Sequence, residues 1–506
     1  MSHEDALARA RIALADGRLD EAAARIEALL GERPGSVDVR RLQGQLHLRQ
    51  RRPRRAAAAL EAVVAARPDD VGCLIDYGRA LNNAGRLDAA LRAFERAAAL
   101  EPAAPEPLAL SGHVLQGLGR LADAEAAFRA ALGRDPRHLR ALKGLGTARL
   151  AAGDAAGAVE ALTTAVLEDP RDANAAAHLG AALHRGGDFH RAEVAYRRAL
   201  ELDPAHAEAW LNLGITLQDT GRLTTAIEAY REAAQRAPGH LLALNRLADA
   251  LLAAGRAGEA LGVTDDCLAR DPGNPSALAT RSFALREVQR DGASALLLDW
   301  SRLVQTADVE PPDGRTLAEF NEALREHVLA HPTLSFEPAG HATRAGRHTG
   351  DLLAGDTGPV AALEASVLQA AAGYLRRIGP SPALPFPGPV PEQPRLAMWA
   401  VVMDTGGHQL PHIHPAAWLS GVYYVNLPGA LGPDPCDPAG WIEFGRPPDD
   451  LALQRPPDCS LFRPTEGRLF MFPSYFYHRT IPFTGSEPRI CIAFDVLRQA
   501  PAGAAA

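Results

Sequence analysis

Residues 207–240 read AEAWLNLGITLQDTGRLTTAIEAYREAAQRAPGH, and this stretch decides the fold of the first half of the chain. Trp210, Leu213, Gly214 and Leu217 recur at helical spacing and line one face of a first helix. Gly221 ends that helix, as glycine does where the chain turns left-handed. Ala226, Tyr230 and Ala233 then make the packing face of a second helix, which Pro238 stops. The preceding stretch repeats the scheme with Leu179, Gly180, Gly187, Ala192, Tyr196, Ala199 and Pro204.

Working outward, the punctuation keeps one step along the chain. Pro34, Pro68, Pro102, Pro136, Pro170, Pro204, Pro238 and Pro272 are evenly spaced. Gly17, Gly85, Gly119, Gly153, Gly187, Gly221 and Gly255 keep the same step, with Arg51 as the break in the series. A period of about 34 residues marks stacked helix pairs. The pattern resembles the tetratricopeptide repeat (TPR), with eight units over residues 3–274 and a ninth first helix near 277–288 inside a capping segment, 275–299. Trp210, Tyr196 and Tyr230 are expected in the core. Asn212, Asn245 and Asp76 occupy non-packing positions of first helices, where a groove ligand would be met. Arg49, Arg51, Arg52, Arg54 and Arg55 read as a solvated face. The resemblance implies a protein or peptide partner held in the concave groove.

At 506 residues the chain is too long for one core. A net charge of −8 argues against a nucleic-acid partner, which calls for a basic face. Cys73, Cys267, Cys436, Cys459 and Cys491 show no pair spacing, which fits a reducing compartment. The charged N-terminus carries no signal-like apolar run, and no stretch is long and apolar enough for a membrane span. A cytoplasmic protein without a membrane partner is the expectation.

Residues 300–394 lead into a second domain. Helical spacing is visible over about 315–330 and 358–377, residues 346–353 read as loop and short turn, and a proline-dense run, Pro380 to Pro394, reads as extended and irregular. The helices are expected to pack outside the final domain. From 395 to 499 the texture becomes short runs rich in branched and aromatic residues, separated by Gly/Pro/Asp clusters: LAMWAVVM, LSGVYYVN, GWIEF, GRLFMFP and RICIAFDV. An antiparallel sandwich or jelly roll is predicted. The fold expected overall is therefore multidomain: an all-α superhelical solenoid, then a β-rich jelly-roll (double-stranded β-helix) domain with flanking helices.

Two features of this domain carry chemistry. His412 and His414 lie two residues apart, so an extended backbone puts both imidazoles on one face, where they could grip a metal ion with His478. In the last run, Arg489, Cys491, Ala493 and Asp495 share a face. Small side chains beside an arginine leave room for a small carboxylate, which guanidinium binds in a planar fork.

The order His-x-His, LSGVYYVN, GWIEF, FPSxxxH and RIxIAF resembles the iron(II)- and 2-oxoglutarate-dependent oxygenases, well over 395–497 and loosely over 300–394. The resemblance implies Fe(II), 2-oxoglutarate as cosubstrate and O2, with oxidative decarboxylation to succinate coupled to oxygenation of a substrate. By position His412 and His478 would bind iron, while Arg489 and Tyr424 would hold the distal carboxylate of 2-oxoglutarate. The usual set is two histidines and a carboxylate, yet His414 fills the carboxylate slot. His414 as third ligand, a slot left to water, and replacement by Asp404 or His408 all stand open. Trp418 and Trp441 read as core, and His408 and His341 as structural or exposed. The function expected is a dioxygenase hydroxylating a peptide or protein presented by the repeat groove. The alternatives are a repeat scaffold with a weak or inactive metal-binding domain, or a zinc-type sensor using the three histidines.

Overall fold

The computed structural model describes residues 3–337, 342–379, 394–429, 431–432, 434–449, 451 and 453–498. The chain divides into two compact units, Met1–Gly221 and Arg222–Ala505. The first is a run of helix pairs, from His3–Ala15 with Leu19–Glu32 to Ala173–Arg185 with Phe189–Leu202, followed by Ala207–Asp219. Between paired helices the chain turns through a left-handed residue: Gly17, Gly85, Gly119, Gly153 and Gly187 have φ between 74° and 87°. Arg51 takes the same conformation at φ 54°, without the freedom that glycine has there. Between successive pairs, Arg33, Arg67, Glu101, Asp169 and Asp203 leave the helix at φ between −141° and −124°. Each precedes a proline of the periodic series, and the proline ring disfavours helical backbone in the residue before it.

Packing explains the small residues of the repeat. Tyr196 is buried, and a Cβ placed on Gly180 would lie 2.7 Å from its ring. Trp210, expected in the core, is half-exposed, because its indole N–H reaches back to the Pro204 carbonyl at 3.1 Å. Arg49, Arg51, Arg52, Arg54 and Arg55 are exposed. Gln45, Asp76, Arg79, His113 and Arg140 line a cavity of about 710 Å³ within this unit. Asp76 accepts hydrogen bonds there from Arg41 (3.0 Å) and Gln45 (2.7 Å).

The second unit opens on more of the same helices: Leu223–Arg236, then Leu241–Ala253 with Ala257–Arg270. Tyr230 is buried within it, and Asn245 is engaged between helices by Asn274 (3.1 Å) and Cys267. The helix expected alone near 277–288 is Pro275–Glu287, and it has a short partner, Asp291–Leu297. Gln289 turns between them at φ 61°, one repeat step after Gly255.

Among the described residues ten strands follow: β1 (Gln305–Asp308), β2 (Ser335–Phe336), β3 (Thr343–His348), β4 (Arg395–His412), β5 (Ala417–Asn426), β6 (Ile442–Phe444), β7 (Ser460–Phe462), β8 (Arg468–Pro473), β9 (His478–Thr480) and β10 (Arg489–Leu497). The order is β1-β8-β5-β10-β4-β9-β6-β7, antiparallel throughout, with β3 pairing β2 and β4. The sheet is curled because β4 serves both its halves. Residues 395–403 pair with β10, while Gln409 and His412 pair with β9. Gly406, at φ 80°, and Gly407, where a Cβ would lie 2.8 Å from the Asp404 carbonyl oxygen, lie at the bend.

The lead-in contributes more to this sheet than its sequence suggests. Residues 346–348, read as loop, belong to β3 and pair with residues 401–403 of β4. The strand TRAGRH carries no apolar alternation, so its pairing is invisible without its partner. The expected helices are Leu317–Leu329, opened by a Thr316–Glu319 capping box, and Val360–Ile378. The first packs on β5, where the Tyr423 hydroxyl donates to Asn321 Oδ1 at 2.6 Å. The proline-dense run up to residue 393 and His341 lie outside the described residues.

Within this unit the last repeat helices are tied to the sheet. Tyr475 Oη donates to the Leu297 carbonyl at 2.7 Å, and the rings of Phe283 and Tyr477 lie 5.7 Å apart. The Trp300 ring meets Phe476 edge-on at 4.6 Å. Arg498 makes a two-pronged ion pair with Asp271, and Glu287 accepts from the backbone N–H groups of Gln454 and Arg455.

Candidate metal centre and acid-binding pocket

Pairing between β4 and β9 sets His412 directly opposite His478, with ring centroids 4.2 Å apart. The chain then leaves β4, and the His414 N–H donates to the Ser474 carbonyl at 3.0 Å, which brings the third imidazole back over the pair. One ring nitrogen from each of His412, His414 and His478 lies within 4.8 Å of the others. A site of this kind needs neutral imidazoles with their lone pairs inward. Each Nδ1 faces an acceptor: the Leu410 carbonyl for His412 (2.8 Å), the Phe476 carbonyl for His478 (3.0 Å) and Asp495 Oδ1 for His414 (2.7 Å). Acceptors at all three positions favour the Nδ1–H tautomer, which leaves Nε2 with its lone pair. Nε2 of His414 is buried and has no protein partner. Burial, then the neighbouring His414 ring, pulls the His412 imidazole down to about 4, and burial holds His478 well below the usual range.

The same cavity, about 450 Å³, holds the second half of the expected site. Arg489, on β10, is 2 % exposed, yet its Nε has no partner. Its guanidinium lies 5.0 Å from the centre of the Tyr424 ring, and Nη1 is 3.5 Å from Cys491 Sγ. The Tyr424 hydroxyl is also buried and unpartnered, and burial raises its pKa, so it remains an O–H donor. A buried cation without a counter-charge is costly. A guanidinium N–H and a phenol O–H turned into one cavity therefore fit an anion, and three inward imidazoles fit a cation.

Asp404 and His408 take no part. Neither lines the cavity; Asp404 pairs with Arg347 at 3.7 Å, and His408 bonds the Gly406 carbonyl. Trp418 and Trp441 are buried, as expected. The sequence reading missed other residues of the pocket. Trp399 stacks on His414 at 5.6 Å, His348 stacks on Trp399 at 6.0 Å, and Asp495 holds His414. Alternation along β10 does put Asp495 on the face of Arg489, but nothing local points to its partner.

Residues 397–495 match the family model described as "Putative 2OG-Fe(II) oxygenase". The tetratricopeptide repeat model matches in two runs of overlapping stretches, residues 7–106 and 110–275. Among solved structures, MamA is 28% identical, with 32% of this chain and 94% of that one covered at a TM-score of 0.30. A thermophilic TPR protein of Thermus thermophilus is 29% identical over 36% and 99%, TM-score 0.33. YrrB, described as a TPR protein with an unusual peptide-binding site, is 25% identical over 37% and 97%, TM-score 0.31. Comparison with curated proteins finds no match.

Proposed function

The chain belongs to the tetratricopeptide repeat family and carries a 2OG-Fe(II) oxygenase-family domain at residues 397–495, and from this we propose that it is a non-haem Fe(II)- and 2-oxoglutarate-dependent oxygenase. In this reading His412, His414 and His478 hold the iron, and Arg489 and Tyr424 hold the distal carboxylate of the oxo acid. One observation carries it: three convergent imidazoles share a cavity with a buried arginine whose Nε has no partner.

Each residue has a physical task. The acceptors behind the three Nδ1 atoms hold the rings and their tautomers, so the lone pairs point inward without cost at the moment of binding. The Arg489 guanidinium and the Tyr424 hydroxyl orient the cosubstrate, and Val401, Val422, Ile442 and Phe472 keep water from its chain. Bound iron and 2-oxoglutarate would supply the activation of O2, one oxygen atom leaving in succinate and the other in the hydroxylated product, with release of CO2. The substrate proposed is a peptide or protein side chain, recruited by the groove of the repeat array. The cavity of the first unit, lined by Gln45, Asp76, Arg79, His113 and Arg140, and the family's protein-binding habit support that choice.

The test is direct. Purified protein with Fe(II) and 2-oxoglutarate under anaerobic conditions is expected to develop a visible charge-transfer band, and on admission of oxygen to form succinate. His412→Ala and His478→Ala are expected to lose both signals. A wild-type chain giving neither would be a repeat scaffold with an inactive domain.

A further inference from the structure

The carboxylate missing from the ligand slot is present one bond further out. Asp495 lies on β10, where the register sets it opposite Ser420 of β5 and Ala397 of β4, on the cavity side. Its Oδ1 is 2.7 Å from His414 Nδ1 and accepts the Ser420 hydroxyl at 2.6 Å. Asp495 is 8 % exposed and Ser420 fully buried, so this is an interior pair and not a surface ion pair. The other two imidazoles rest on backbone carbonyls. Only His414, the residue in the usual carboxylate position, rests on an acid.

We infer that Asp495 is a positioning residue of the metal centre, which aims His414 Nε2 at the ion and supplies, through that ring, the negative charge that an imidazole ligand lacks. The inference rests on the ligand set proposed above. A carboxylate can only accept at His414 Nδ1, so it fixes the tautomer with Nε2 unprotonated. It also makes the ring a stronger donor, as carboxylates behind metal-bound histidines do. The charge balance has the same logic. Three neutral imidazoles add nothing to counter a divalent cation, and Arg489 adds a further positive charge in the same cavity. Asp495 is the acid held against the cluster. Ser420 donates to the same oxygen, so the group is already oriented before an ion arrives.

The test uses the full chain and Co(II) alone, titrated by its visible ligand-field absorption, with the thermal midpoint of the metal-free protein alongside. Asp495→Asn keeps the size and an acceptor oxygen but removes the charge. It is expected to weaken Co(II) binding about 10- to 100-fold while the metal-free midpoint stays close to wild type. Since Asp495 acts through His414, combining Asp495→Asn with His414→Ala is expected to add little to His414→Ala alone. The double variant His414→Asp with Asp495→Asn moves the carboxylate into the ligand slot, and should restore most of the lost affinity; its metal-free thermal midpoint, read beside that of Asp495→Asn, separates a lost fold from a lost ligand. Unchanged Co(II) affinity in Asp495→Asn, fully additive losses, or no recovery in the double variant would each overturn the inference. His412→Ala and His478→Ala separate the two levels. If they abolish Co(II) binding and Asp495→Asn does not, the ligand set stands and Asp495 has no such role. If they leave binding intact, the ligand set itself is wrong and the role of Asp495 falls with it.

Discussion

Arg489 concentrates the chemistry of the pocket in one side chain. Its charge is buried and its Nε unpaired, so its removal should be felt most by the anion that would compensate it. Arg489→Ala is expected to weaken 2-oxoglutarate binding by at least about 2 kcal/mol, roughly 30-fold or more, when followed by anaerobic titration of the charge-transfer band. Tyr424→Phe removes one neutral donor to a charged acceptor and should cost about 1.5–3 kcal/mol in the same titration. An Arg489→Ala protein that binds the oxo acid normally would show that the anion sits elsewhere. At this scale the sequence was legible where a residue's task depends on its own motif. The face shared by Arg489, Cys491 and Ala493 follows from strand alternation alone. The task of Asp495 depends on a ring 81 residues away in the chain, which no local pattern encodes. Arg51 is a different lesson. The break in the glycine series is a break in residue type and not in backbone, since φ is 54° there as well. Arg51→Gly should therefore stabilise the protein by about 1 kcal/mol, read as a rise in the denaturation midpoint.

Among elements, the loop before β9 matters most, because it delivers His478. Tyr475, Phe476 and Tyr477 pack in turn on Leu297, Trp300 and Phe283, so the histidine cluster leans on helices of the capping segment and on Trp300 just beyond it. Tyr475→Phe leaves the buried Leu297 carbonyl without this donor and is expected to cost about 1–2 kcal/mol of stability. In the array, Gly180→Ala would drive a methyl group into the Tyr196 ring and should destabilise by about 1–3 kcal/mol by chemical denaturation. Helices were easier to read than strands for a physical reason. A helix carries its own periodic face, whereas β1, β2 and β3 are short and exist because β8, β3 and β4 in turn are there to pair with them.

For the whole chain, the division at Gly221 cuts across the repeat series, although the sequence period continues without a break. The last helix pairs share a unit with the sheet, so a fragment beginning at residue 300 would lose Leu297, Phe283, Glu287 and Asp271 as partners of Tyr475, Tyr477, Arg455 and Arg498. It is expected to melt without cooperativity, while a fragment beginning at residue 222 melts in a single transition by circular dichroism. Acid should weaken the first unit. Burial lowers the pKa of His113, His178 and His184, so below about pH 6.5 the unfolded chain takes up protons that the folded chain refuses. Stability is then full above that pH and falls as the pH drops below it. Equal urea midpoints at pH 7.5 and pH 5.5 would contradict this.

The position of β10 has a bearing on how the molecule is made. It is the central strand, bonded to β5 on one side and β4 on the other, yet a ribosome delivers it after both. Until it emerges, the nascent sheet has a gap with two open edges, of the kind that invites pairing with other chains. Both Arg489 and Asp495 arrive on that strand, so the pocket can close only once β10 has paired with its neighbours. Iron offered during translation would meet imidazoles that have not yet been set in place.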